Sequence, residues 1–164
     1  VGGVKTHGLA DVATQVVMLN LGSFRAGNLY SFNRDAWSEL SVDQRQGVFR
    51  AITVGVVRTI NEYHKGEEEA VAVGNQKKIP IVQPDPAMQK AKDDFVEKDL
   101  PTIIDNANKK LGIANAAEFV KQYRDLYAKY EKLVTPIQKD PGKLSELLYT
   151  EVYAKLDPAK YGVK

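Results

Sequence analysis

Between Ser41 and Tyr63 the apolar residues Phe49, Ile52, Val56, Ile60 and Tyr63 return at spacings of three and four, which puts them on one face of a helix. Ser41 is suited to cap that helix, because its hydroxyl can accept a backbone N–H left unpaired in the first turn. Gln44, three residues on, can reach back to complete a capping box, and Asp43 suits the positive end of the helix dipole. A one-sided helix this long must lie against other parts of a fold. The turn before it carries the single tryptophan, Trp37.

The chain has 164 residues, enough for one domain with a core but short for two. Its 23 Lys and Arg are interspersed with 21 Asp and Glu, so it has no electrostatic footprint for nucleic acid. Cysteine is absent, which excludes disulfides, thiolate catalysis and Cys-based metal sites. No apolar run approaches the length that spans a bilayer. The first residue is Val1, and the sequence reads as a processed or truncated piece.

From Gly8, the positions Leu9, Val12, Ala13 and Val16 suit a short helix. Val17 to Leu21 suits a strand or the end of that helix, and periodicity does not choose between them. Gly22 to Gly27 reads as a loop, and Leu29 to Phe32 as a strand with Tyr30 and Phe32 on one face. After the central helix, the segment from Gly66 reads as a continuing or second helix that stops at Gly74 in left-handed geometry. Glu67, Glu68 and Glu69 are its solvated face. Ile79 to Val82 contains Pro80, which demotes it to an edge strand.

Asp85 and Pro86 then open a helix with Met88, Ala91, Phe95 and Val96 at helical spacing. Pro101 should kink or restart it, and Gly112 should stop it. Asn115 and Glu118 read as the next helix start. Phe119, Tyr123, Leu126, Tyr130 and Leu133 form an apolar-aromatic seam there, flanked by Val120, Tyr127 and Val134. Asp140 and Pro141 open a last helix with Leu144, Leu147, Leu148 and Val152 as its apolar positions. The expected class is α/β but mostly helical, with a few short strands.

Nothing in the sequence points to catalysis. His7 and His64 are far apart and belong to no metal-ligand spacing, so no metal or cofactor is expected. No GxSxG elbow positions a serine. Gly22 to Gly27 has glycines at phosphate-loop spacing, but Asn28 and Leu29 stand where Lys and Ser or Thr should follow. The expectation is a binding protein and not an enzyme.

The segments GLADVATQV and NLYSFNRDAWSELSVDQRQGVFRA, in that order, resemble the C-terminal half of substrate-binding proteins of TRAP transporters (the DctP family). The residues that carry the resemblance are Gly8, Leu9, Asp11 and Val12, then Asn33 and Trp37, then Leu40, Ser41 and Asp43. It covers Gly8 to Val134. It implies the C-terminal half of a two-lobed fold like that of periplasmic binding proteins, with residues 1–112 in the second α/β lobe and 113–164 a C-terminal helical segment. It also implies an extracytoplasmic, periplasmic receptor in a bacterium, which captures a small organic acid and delivers it to membrane permease subunits. The first lobe and the family's carboxylate-binding arginine would lie upstream. The seam from Phe119 to Val134 would then be left uncovered, which favours self-association.

Within such a lobe, pockets form from loops at strand ends. Two loops fit: Lys5 to His7, and Ser23 to Arg25. His7 is a candidate ligand contact, Ser23 a hydrogen-bond donor, Phe24 a pocket wall and Arg25 a partner for a carboxylate. Each also has a structural reading, as capping group, turn residue, core residue or solvated charge respectively. The alternative function is a stand-alone helical interaction protein that uses the 119–134 seam.

Overall fold

The computed structural model describes residues 8–22 and 30–163. That span is mostly helical, with two short strands, β1 (Val16–Val17) and β2 (Ile81–Val82). Its α-helices are α1 (Arg34–Glu39), α2 (Val42–Gln76), α3 (Pro86–Lys110), α4 (Ala116–Val134) and α5 (Pro141–Glu151). Short 3₁₀ turns occur at Leu9–Asp11, Thr135–Ile137 and Tyr153–Lys155. Among the described residues, no helix is long and apolar enough to cross a membrane. The chain folds into two compact units: Val1–Ser23 with Glu68–Thr135, and Phe24–Glu67 with Pro136–Lys164.

In the unit formed by Phe24–Glu67 and Pro136–Lys164, the capping box forms as the sequence requires. Ser41 N donates to Gln44 Oε1 at 2.8 Å, and Gln44 N donates to Ser41 Oγ at 3.2 Å. Asn33 caps α1 by accepting from the backbone of Asp35 and Ala36. Asp140 caps α5 through Lys143 N at 3.0 Å, and this bond holds its carboxyl below the usual carboxylate range. The core gathers on Trp37, Phe49 and Tyr149, with Leu40, Val48, Tyr153, Leu156 and Val163 packed against it. Along α2, Phe49, Thr53 and Val57 are buried and Ile52, Val56 and Ile60 half-buried. Tyr63, expected on that face, is exposed instead. Beyond α5 the chain is tied down by Arg45, a buried guanidinium described below.

In the other unit, β1 and β2 pair in parallel, Val16 with Ile81 and Val17 with Val82. Val16 N donates to Pro80 O at 2.9 Å, so proline supplies only an acceptor there, which it can do without an N–H. The short helix expected over Leu9 to Val16 is reduced to one 3₁₀ turn, because Val16 is drawn into the strand pair. The strand expected at Leu29 to Phe32 is also corrected: Leu29 lies outside the described residues, and Tyr30 to Phe32 are not in a strand. No neighbouring strand among the described residues offers them a ladder.

Gly74 does not end α2, which runs on to Gln76. A Cβ at Gly74 would come within 3.1 Å of Ile81 Cδ1, so glycine is there to let β2 approach the helix. The helix ends instead in a Schellman turn, with Lys78 N donating to Asn75 O and Ile79 N to Gly74 O. Lys78 takes the left-handed position, at φ 57°. α3 starts with Asp85 accepting from Met88 N at 2.6 Å and continues unbroken through Pro101. Gly112, at φ 68°, follows its end as expected. α4 starts after Asn115, but the Asn115 side chain makes no capping bond. Its seam is largely open to solvent: Phe119 is 63% exposed and Tyr123 65%, with Leu126 and Tyr127 also exposed.

Candidate functional site

His7, Ser23, Phe24 and Arg25 lie outside the described residues. The structure assembles a different candidate within the Phe24–Glu67 and Pro136–Lys164 unit. A pocket of about 500 Å³ opens beside the aromatic core, walled by Trp37, Phe49, Tyr153 and Tyr161. Tyr30, Phe32 and Arg34 border it from the segment entering α1, Ile52 and Val56 from α2, and Gly162 from the C-terminal segment.

Local sequence rules place most of these side chains. The Asn33 cap sets the start of α1 and so positions Arg34 and Trp37. The period of α2 brings Phe49, Ile52 and Val56 to one side. The rings then stack in the tilted and edge-on arrangements that aromatic quadrupoles favour. Phe32 meets Trp37 edge-on at 5.2 Å between centroids, and Trp37 lies 5.7 Å from Phe49. Phe49 lies 5.6 Å from Tyr153 and 5.8 Å from Tyr161. Tyr30 reaches α2 where Gly55 leaves room, since a Cβ at Gly55 would overlap its hydroxyl.

The C-terminal wall is pinned by two long-range contacts. Trp37 Nε1 donates to Tyr161 O at 2.7 Å. Arg45 is only 7% exposed and donates from Nη1 to Pro158 O at 2.7 Å, and from Nε and Nη2 to Leu40 O at 3.1 and 2.8 Å. Gly162 sits at φ 72° across the indole, where a Cβ would lie 3.1 Å from Trp37 Nε1.

The polar groups of the pocket are few. Three tyrosines bring hydroxyls: Tyr30, Tyr153 and Tyr161. Burial raises the Tyr153 pKa above the ordinary phenol value, and the nearby Tyr161 and Tyr30 push it the same way, so it stays a neutral donor at neutral pH. Of Arg34, Arg45 and Arg50, two are committed. Arg45 is used by carbonyls, and Arg50 by Glu146 at 2.8 Å and by the face of the Tyr149 ring. Arg34 is exposed and has no carboxylate partner among the described residues. Among the described residues the lining holds no histidine, carboxylate or thiol, so what they offer a ligand is apolar surface, hydroxyl donors and one cation.

A second concavity, of about 630 Å³, lies in the other unit between Asn20 to Gly22 and α4, where it touches Tyr123, Arg124 and Tyr127. Its cation is already engaged, because Arg124 pairs with Glu97 of α3. That pairing holds the Glu97 carboxyl below its usual range, through the Arg124 hydrogen bond first and its charge second. The aromatic pocket is therefore the stronger candidate.

The sequence alone did not point to Arg34, Tyr153 or Tyr161. The last two follow the final helix, outside any period, and only long-range packing brings them to Trp37. The one local signal is the density of aromatic residues from Tyr30 to Trp37. No family model matches the chain, and no curated protein or solved structure matches it.

Proposed function

We propose that the chain is the second α/β lobe and helical tail of an extracytoplasmic, periplasmic solute receptor of the TRAP-transporter type. It would capture a small organic acid and present it to membrane permease subunits. The observation that carries this reading is the parallel pairing of β1 with β2, joined through the helical connection that includes α2. Parallel strands need a crossover, usually helical, and occur almost only within larger sheets covered on both faces. Two strands of two residues each are too little to stand as a sheet. Their edges call for further strands of an α/β lobe. The ordered series Gly8, Leu9, Asp11, Asn33, Trp37, Leu40, Ser41 and Asp43 supports the same assignment.

In this reading His7, Ser23, Phe24 and Arg25 are assigned to the acid, and a first lobe supplies the remaining contacts. Ligand capture works by closure, because an acid that binds the closed form more tightly shifts the population toward it. The permease then recognises that form. The exposed seam of α4 would be covered by the rest of the receptor.

The test is made on the full product of the natural gene. Its reading frame should supply another α/β lobe, and native mass spectrometry should find one small carboxylic acid per chain. A full product with no further lobe and no bound acid overturns the proposal. The same exposed seam favours a second reading, a helical interaction protein, and that result would leave it as the better account.

A further inference from the structure

We propose that the exposed face of α4 pairs with the same face of a second copy of the chain, antiparallel, about a two-fold axis beside Leu126. The inference goes beyond the receptor reading, because it depends on α4 alone; within that reading, the second copy is the part of the receptor that covers the seam. Ala116 is buried and Val120 and Val134 are half-buried, so that side of α4 packs within its own unit, where Arg124 also pairs with Glu97 of α3. Phe119, Leu126 and Leu133 lie on another side and stay open, at 63%, 51% and 37% exposure. The exposed Tyr123 widens this row. Spacings of seven keep it on one line along the helix, about 21 Å long at 1.5 Å per residue.

The order of residues along the helix selects the occupant. Phe119 and Leu133 lie at equal distances on either side of Leu126, so reversing the helix maps the row onto itself. Laid antiparallel, Leu126 meets its own counterpart, and Phe119 meets Leu133 of the second copy, twice by symmetry. An unrelated partner would require no such symmetry. Charge agrees. One edge of the row carries Glu118, Gln122, Asp125, Lys129 and Lys132, acidic toward the helix start and basic toward its end. In an antiparallel pair this edge faces itself, which brings Glu118 alongside Lys132 of the second copy and Asp125 alongside its Lys129. Asp125 also holds Lys121 at 2.7 Å, but its carboxylate is largely exposed and keeps a side for a second cation. Lys129 reaches over the Tyr130 ring at 5.0 Å, which sets its charge beside the seam. A parallel pair would turn the same edge toward the side of Val120 and Arg124, which already packs within the chain. A face this short buries less than the roughly 1,200 Å² at which stable interfaces begin, so the dimer should depend on concentration.

Sedimentation equilibrium is measured on the 164-residue chain and on the full gene product, from micromolar to about 0.5 mM. The chain should pass from 18.2 kDa toward twice that mass as concentration rises, and the full product should double likewise. Leu126→Glu and Leu126→Lys, at an exposed position, should keep the helical circular dichroism and each weaken self-association roughly tenfold or more, because like charges then meet across the axis. An equimolar mixture of the two variants should regain the dimer. Glu118→Lys should weaken it, and adding Lys132→Glu to the same chain should restore it. A chain that stays monomeric, Leu126 variants as dimeric as the parent, or a mixture that stays monomeric overturns the proposal. So does a monomeric full product beside a dimeric 164-residue chain, which leaves the receptor reading intact. A dimeric full product that holds no further lobe and no acid supports the pairing and sinks the receptor reading alone.

Discussion

Replacing Arg45 with methionine should destabilise the unit that holds the aromatic pocket by about 2–4 kcal/mol. The side chain is 7% exposed, and every acceptor it meets is a backbone carbonyl: Leu40 twice, Pro158, and Ala159 at 3.4 Å. Methionine preserves much of the apolar stem, so the loss isolates the polar contribution. Hydrogen bonds from a charged donor contribute about 1.5–3 kcal/mol each, but these share one guanidinium and do not add. The Leu40 carbonyl is left without its side-chain donor, whereas the Pro158 and Ala159 carbonyls can turn toward water if the C-terminal segment lifts. In a chain of this size, that loss corresponds to roughly 5–15 °C in Tm.

The assay is urea unfolding followed by Trp37 emission, which is sensitive because Trp37 Nε1 donates to Tyr161 O in the same segment. The midpoint should fall with little change in slope. Arg45→Lys, which keeps the charge without the fork, should lose about half as much. A loss below about 1 kcal/mol for the methionine variant would refute the reasoning, and so would a lysine variant as stable as the parent.

Lys78→Gly should stabilise the chain by about 0.5–1 kcal/mol, since Lys78 holds the left-handed position of a helix-ending turn at φ 57°. Thermal melting checks it, and a destabilised variant would show that the lysine side chain matters more than its backbone. Gly162→Ala should cost about 1–3 kcal/mol, from left-handed backbone strain and crowding against the indole, and should alter Trp37 emission. Unchanged emission and stability would place Gly162 away from Trp37. Because the folded Tyr153 pKa is raised, its contribution is fully present below the unfolded phenol pKa of about 10 and is lost as pH rises through the folded value. Tyr153→Phe should remove a late component of the phenolate absorbance and flatten the alkaline loss of stability.

Several helix starts and the end of α3 were legible in the sequence because their causes are local. Ser41 with Gln44, Asp85 and Asp140 each satisfy backbone N–H groups within three residues of themselves, and Gly112 needs only its own backbone freedom. The buried Phe49 and the half-buried Ile52 and Val56 followed from the helical period for the same reason. Gly74 shows where that reasoning stops. Its neighbours suggest a helix end, but its use is set by Ile81, a strand residue that no local rule places against the helix. The strand pair likewise needs Val16 and Ile81 to meet, although neither segment is long enough to declare itself.

Local rules set the faces that carry most of the pocket's side chains, but bringing those faces together belongs to tertiary structure. Trp37 bonds to a carbonyl 124 residues away and Arg45 to one 113 residues away, so the side chains that shape the wall have no shared sequence pattern. Capping and periodicity are determined by neighbours one turn apart. Where Tyr153, Tyr161 and Arg34 come to rest depends on which buried contacts together outweigh the entropy of closing those long loops, and only the folded chain decides that.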